Sequence, residues 1–181
     1  MPLGALTAWY IVEDAALKPG QSVVVIGAAG GVGLFAVQFA RLKGATVTGV
    51  ASTANLSFVK SLGAEPLDYT AGQGISRAKD ADVVMDTVGG GALESAYSLV
   101  KKGGLLLTIA GMASEEKAKE LGITARGSGN RGPQPLGKIA ELLASGKLVV
   151  EVGKIFPQSE AAAAQNLSQT GHGRGRILLK L

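Results

Sequence analysis

Apolar and polar positions along this chain follow two rhythms, one helical and one extended. Leu6, Trp9, Tyr10, Ala16 and Leu17 share a face within residues 3–17, so that stretch is expected to be a helix. Lys18-Pro19-Gly20 then breaks it. Residues 22–27 (SVVVIG) form a nearly unbroken β-branched run, the pattern of a strand covered on both faces. A glycine-rich turn follows. Residues 34–43 read as a helix, with Phe35, Phe39 and Leu42 at helical spacing and Gly44 as its stop. Strands are expected at 46–50, 66–69, 82–86 and 105–109. A short helix at 56–62 is closed by Gly63. Leu93, Ala96, Tyr97 and Val100 recur at i, i+3, i+4 and i+7 on one helix face that ends at Lys101-Lys102-Gly103.

Strands and helices thus alternate from Ser22 to Ile109, which argues for a doubly wound parallel sheet. The last third is less regular. Leu136, Ile139, Ala140 and Leu143 mark a helix stopped by Gly146, while 148–156 and 176–181 look strand-like. Residues 126–134 (RGSGNRGPQ) are polar and rich in breakers, and read as a loop.

Composition narrows the options. The chain has 181 residues, 46% hydrophobic and only 4% aromatic, so its core must be built from Val, Leu, Ile and Ala. With no cysteine, disulfides and thiolate metal sites are excluded within it. The net charge of +4 comes from scattered lysines and arginines rather than a dense run, so nucleic acid is not expected as a partner. No stretch approaches the ~20 apolar residues of a membrane helix, and no signal peptide is visible. A cytoplasmic, soluble protein is expected.

The chemistry sits in Gly27-Ala28-Ala29-Gly30-Gly31-Val32-Gly33, between the valine-rich strand and the helix after it. Against a G-x-G-x-x-G pattern, Ala28 stands at the first position, with Gly30 and Gly33 at the others. A chain leaving a strand for a helix must turn sharply, and a pyrophosphate must come close to the backbone near Gly30 and Gly31. Gly33 would let the helix pack tightly. The first-turn amides lack intrahelical partners, and with the helix dipole they attract an anion. An alternative is a tight turn with no ligand.

An acidic residue roughly 20 positions further on accepts the ribose hydroxyls in NAD-binding domains. Here residues 50–55 read VASTAN, with no carboxylate. Small hydroxyl and amide groups leave room for a 2′-phosphate, so NADP(H) is expected over NAD(H). Ser52 or Thr53 could also cap the following helix.

Taken together, Lys18-Pro19-Gly20, Val23 to Ile26, Gly27 to Gly33, Ala36 to Ala40 and Lys43-Gly44-Ala45 resemble the cofactor domain of zinc-independent medium-chain dehydrogenases/reductases of the quinone oxidoreductase type. Leu62-Gly63-Ala64, Asp68-Tyr69, Asp86 to Gly90, Gly146-Lys147-Leu148, Phe156-Pro157 and Gly175 to Leu179 extend the likeness over nearly the whole chain. The resemblance implies an α/β Rossmann fold, a doubly wound parallel sheet of order 3-2-1-4-5-6 flanked by helices. It implies an NAD(P)-binding domain at 1–146. Residues 147–181 would be a tail that in the family returns to a GroES-like catalytic domain.

The resemblance also assigns cofactor contacts. Gly27, Gly30, Gly31, Val32 and Gly33 would form the pyrophosphate turn. Ser52, Asn55 and Tyr69, with Lys60, would surround the adenosine 2′-phosphate. Thr87, Val88 and Gly89 would line the ribose side, and Ile109, Ala110 and Gly111 would flank the nicotinamide. Thr7 would approach that end from the first helix. The implied reaction carries a hydride from NADPH to a small electron acceptor, a quinone or an activated double bond. This chain by itself is expected to bind cofactor with little turnover, and no catalytic residue is assigned.

Several departures stand beside the likeness. The family's substrate-side domain has no counterpart here, which suggests a shortened or engineered piece. Pro2 lies where zinc-using relatives place a cysteine, so no zinc is expected. Ser128, Gly129 and Asn130 occupy a stretch that is apolar in relatives and pairs two subunits, so a homodimer through 123–131 is expected to be weakened. The closing strands would be unpaired or docked elsewhere. The lone His172 reads as a loop residue, and Asp80 and Asp82 as caps at a strand start rather than, with Asp86, a metal cluster. Glu115, Glu116 and Glu120 read as an exposed helix face. The rival reading from another class is a non-enzymatic or redesigned Rossmann scaffold.

Overall fold

The computed structural model describes residues 2–71, 75–129, 131–171 and 173–181. Six parallel strands form the main sheet: β1 (Ser22–Ile26), β2 (Thr46–Ala51), β3 (Glu65–Asp68), β4 (Ala81–Asp86), β5 (Val100–Thr108) and β6 (Thr124–Gly127). Their order is β3-β2-β1-β4-β5-β6, the doubly wound arrangement expected from the sequence. In β1, alternate residues feed two different cores. Val23 and Val25 join the cluster under α1 (Pro2–Ala15), α2 (Gly33–Leu42), α3 (Leu56–Ser61) and α6 (Leu136–Ala144). Val24 and Ile26 join the cluster under α4 (Gly90–Ala96) and α5 (Glu115–Leu121). This two-sided burial explains why the strand reads as continuous valine and isoleucine rather than as an alternating pattern.

The scarce aromatics are concentrated where α1 meets α2. Trp9 meets Phe39 edge-on at 5.3 Å between centroids, and Phe39 stacks on Phe35 at 6.4 Å. Burying each of the two phenylalanine rings contributes roughly 1.5–3 kcal/mol relative to leaving it exposed.

Three expectations are corrected. Residues 126–134 are not wholly loop: Arg126 and Gly127 belong to β6, which pairs with β5 from Leu105↔Thr124 to Thr108↔Gly127. Backbone pairing offered by β5 outweighs the local breaker composition. The chain after β6 then folds back onto α1, where Ser128 and Arg131 donate to the Asp14 carboxylate at 2.6 and 2.8 Å. Asn130 and His172 lie outside the described residues. Val100, Lys101 and Lys102 are not the end of a helix. The helix α4 stops at Ala96, Tyr97–Leu99 form a 3-10 turn, and Val100 opens β5. Ser22 and Lys101 hold this corner, both bonding to the Asp82 carboxylate. Finally, 148–151 are not strand. Leu148 plugs the core, and Val149 is held on both backbone groups by the Gln38 side chain (2.7 and 3.1 Å).

The closing strands β7 (Val152–Pro157) and β8 (Arg176–Lys180) pair with each other in parallel, as a separate two-stranded sheet. The connection between them carries α7 (Ala161–Gln169), which the sequence reading did not foresee.

Candidate functional site

The sheet's order reverses between β1 and β4, where the carboxyl ends of the strands open a crevice. A cleft of about 820 Å³ lies there. Its floor is the turn from β1 into α2. Gly27, at φ +79°, donates to the Val50 carbonyl at 3.1 Å, as does Ala28 at 3.0 Å, so the turn is pinned to β2. Gly30 N–H donates to the Gly27 carbonyl at 2.9 Å. A Cβ at Gly33 would stand 2.1 Å from that same Gly27 oxygen, so only glycine lets α2 start this close to the strand. The amides of Gly31 and Val32 have no hydrogen-bond partner among the described residues, and no side chain caps α2. Bare amides at a helix start are an anion site.

Arg176, which sequence reasoning missed, lies across this floor. A Cβ on Gly31 would stand 2.5 Å from its Nε, and one on Gly4 would collide with its guanidinium. The Nε is buried and has no hydrogen-bond partner among the described residues. The strand start carrying Arg176 is anchored to the turn, because Gly175 donates to the Ala29 carbonyl at 2.9 Å. A spacing rule could not have found it, since it arrives from the far end of the chain.

One wall of the cleft hangs from Asp86. Its carboxylate is fully buried and accepts from Val88 N–H and Gly89 N–H, both at 3.0 Å, and from the Thr108 hydroxyl at 2.7 Å. Thr87 Oγ1 donates to the Ile26 carbonyl at 2.7 Å. These bonds set the Thr87–Val88 segment facing the glycine turn. Gly89 backs it, with φ +80° and no room for a Cβ beside the Ala110 carbonyl.

At the opposite end lie Ser52, Asn55 and Tyr69. Asn55 Nδ2 donates to Ser52 Oγ at 3.1 Å. Neither Ser52 nor Asn55 caps the helical turn after it through its side chain. A carboxylate does stand nearby, supplied by the third strand rather than the second. Thr53 donates to Asp68 Oδ2 at 2.5 Å, and Thr70 donates to Asp68 Oδ1 at 2.6 Å. The hydroxyls of Thr53 and Thr70 hold the Asp68 carboxyl below its ordinary pKa.

Of the expected contacts, Gly27, Gly30, Gly31, Val32, Ser52, Asn55, Tyr69, Thr87 and Val88 line the cleft. Thr7, Gly33, Lys60, Gly89, Ile109, Ala110 and Gly111 do not. Thr7 donates to the Leu3 carbonyl within its own helix, and Lys60 is exposed on α3. The sequence reading also missed Ile75, Ala92 and Ser95 on the lining. Among the described residues, no three His, Cys, Asp or Glu side chains gather to hold a metal. No described helix is long and apolar enough to cross a membrane.

A parallel sheet reversing its order over a strand–glycine turn–helix unit defines a Rossmann-type nucleotide-binding domain. Residues 62–179 match the family model described as zinc-binding dehydrogenase. The chain belongs to that family, within the medium-chain dehydrogenase/reductase superfamily, as its cofactor-binding part. It is 33% identical to a probable zinc-binding oxidoreductase, mitochondrial, of Arthroderma benhamiae, covering 100% of this chain and 61% of that protein. It is 31% identical to an NADPH-dependent alkenal/one oxidoreductase, chloroplastic, of Arabidopsis thaliana, covering 99% and 45% respectively. Among solved structures, the quinone oxidoreductase from Coxiella burnetii superposes with a TM-score of 0.91 at 32% identity, covering 100% of this chain and 59% of that one. The chain thus spans about half to three-fifths of the length of these relatives.

Proposed function

We propose that this chain binds NADPH as the cofactor domain of a zinc-independent oxidoreductase that reduces a quinone or an activated carbon–carbon double bond. One observation carries the reading: a buried Arg176 Nε with no hydrogen-bond partner among the described residues, packed over Gly31, whose amide, like that of Val32, is bare among those residues. That combination suits a diphosphate, which needs close backbone approach and a positive counter-charge.

Ser52, Asn55 and Tyr69 would receive the adenosine end, and Thr87 and Val88 would wall the adjoining ribose. Gly89, Ile109, Ala110, Gly111 and Thr7 remain the expected surroundings of the nicotinamide. The bound nicotinamide supplies the hydride; these residues bind and orient it. The preference for NADPH rests on the hydroxyl and amide groups at the adenosine end and on the NADPH-dependent relative. The acceptor class is taken from the relatives' names. We place residues 1–146 as the dinucleotide domain and 147–181 as a tail belonging with a second domain. We also infer a cytoplasmic setting, no nucleic-acid partner, a weakened dimer edge at 123–131, and little turnover by this chain alone.

Nucleotide fluorescence titration tests the reading. The chain should bind NADPH saturably. Arg176→Met should weaken NADPH and NADH alike, by about ten- to a hundred-fold, the scale of one charge-assisted hydrogen bond. It should also flatten the salt dependence of binding. Unchanged affinity in Arg176→Met, or no binding by the parent chain, would overturn the proposal.

A further inference from the structure

We infer that Asp68 sets how far this site can prefer NADPH over NADH, by holding a fixed negative charge one hydroxyl away from where the adenosine 2′-phosphate would sit. The inference rests on the dinucleotide reading above and concerns its adenosine end.

The register of the sheet fixes the geometry. Ala51 on β2 pairs with Asp68 on β3, and Tyr69 N–H donates to the Ala51 carbonyl at 3.2 Å. Ala51, Ser52 and Tyr69 line the cleft, whereas Thr53, Asp68 and Thr70 do not. Asp68 therefore sits directly behind the lining, next to Tyr69 in sequence and beside Ala51 in the sheet, both of which line the cleft.

Two effects follow from its hydrogen bonds. Thr53 and Thr70 both donate to the carboxylate, and their hydroxyls stand 2.8 Å apart. Their protons are committed to Asp68 and are not offered to an incoming phosphate. The same bonds favour the ionised carboxylate, so the charge is in place at neutral pH.

Among the described residues lining the cleft, Arg176 is the one cation, and it lies on Gly31 at the diphosphate end. A 2′-phosphate carries roughly −1.5 to −2 charges near pH 7. It would meet Ser52, Asn55 and Tyr69 as neutral partners, with a carboxylate behind them. NADH has neutral hydroxyls there and feels almost none of this repulsion. The effect should be modest, because Asp68 is solvated and salt screens such pairs.

The test compares Asp68→Asn with the parent chain, titrating NADPH and NADH at low and high salt. Asparagine keeps an acceptor for the threonines and removes the charge. NADPH affinity should rise about three- to ten-fold at low ionic strength, and the gain should shrink above roughly 0.5 M salt. NADH affinity should change less than about two-fold. Asp68→Ala, which frees both threonine hydroxyls, should show at least the same gain. Thermal melting of each variant reports whether it is folded. Unchanged selectivity in both folded variants would overturn the role of Asp68 alone. A marked loss of NADH binding would also overturn it, by showing that the carboxylate holds the ribose. Failure of the parent chain to bind either nucleotide would instead overturn the dinucleotide reading, and this inference with it.

Discussion

The two sheets of this molecule are both parallel, yet they live in opposite surroundings. In the six-stranded sheet, Val23 to Ile26 are all buried, with helices on both faces. In the two-stranded sheet only Phe156 of β7 is buried, and Ile155 is 60% exposed. Local composition does not explain the difference. Ile177-Leu178-Leu179 is as apolar as Val23-Val24-Val25, but Leu178 and Leu179 stand partly in solvent. What differs is the cover that the rest of the chain supplies. Parallel strands ordinarily need it on both faces, and a sheet of two strands is marginal alone.

The sharpest way to break the well-covered region is at its tightest contact. Gly33→Val would drive a side chain into the Gly27 carbonyl, which is backbone and cannot turn aside. A loss of about 3–4 kcal/mol in chemical denaturation is expected, together with loss of NADPH binding. A variant within about 1 kcal/mol of the parent would show that the turn can relax.

Next comes a matched pair of truncations, one in each sheet. Leu106 in β5 is fully buried and Ile155 is mostly exposed. Leu106→Ala should destabilise by about 2–5 kcal/mol through lost burial and a cavity. Ile155→Ala should stay within about 0.5 kcal/mol. Equal effects in urea melts would mean that the small sheet is buried in solution by something else.

The smallest expected effect concerns the corner that joins β1, β4 and β5. Lys101 first, and then the Ser22 amide and hydroxyl, lower the Asp82 carboxyl from its ordinary 3.8 to about 2. A depressed carboxylate stabilises the fold above its unfolded pKa, and that contribution is lost as pH falls through the folded value. Asp82→Asn should therefore cost about 1 kcal/mol at pH 7, after allowance for solvent screening. The difference should fade between about pH 4 and pH 2. A gap between the two proteins that stays constant down to pH 2 would assign the effect to packing instead.

Much of the covered sheet was legible because its signals are local. The Val23–Ile26 run, the turn with Gly27, Gly30 and Gly33, and the stops at Gly44 and Gly63 each lie within a few residues of what they determine. What stayed hidden depends on partners distant in sequence. Thr124 to Gly127 is strand because β5 offers a ladder, not because of its own residues. Val100 keeps helical spacing with Leu93 and Ala96, yet it pairs with Ala81 in the sheet. The stretch 50–55 lacks a carboxylate, but the fold brings Asp68 to Thr53 from the neighbouring strand. Arg176 belongs to the glycine turn only once β8 has docked.

That last docking has a consequence for the order of assembly. Gly4, Gly31 and Arg176 meet at one point, although they span almost the full length of the chain. Closing so long a loop is entropically unfavourable and slow compared with pairing β1 to β2 or β4. The parallel strands around the turn can therefore pair while the guanidinium is still absent from it. The positive charge beside the turn is thus contributed by the last strand of the chain to the first crossover of the sheet.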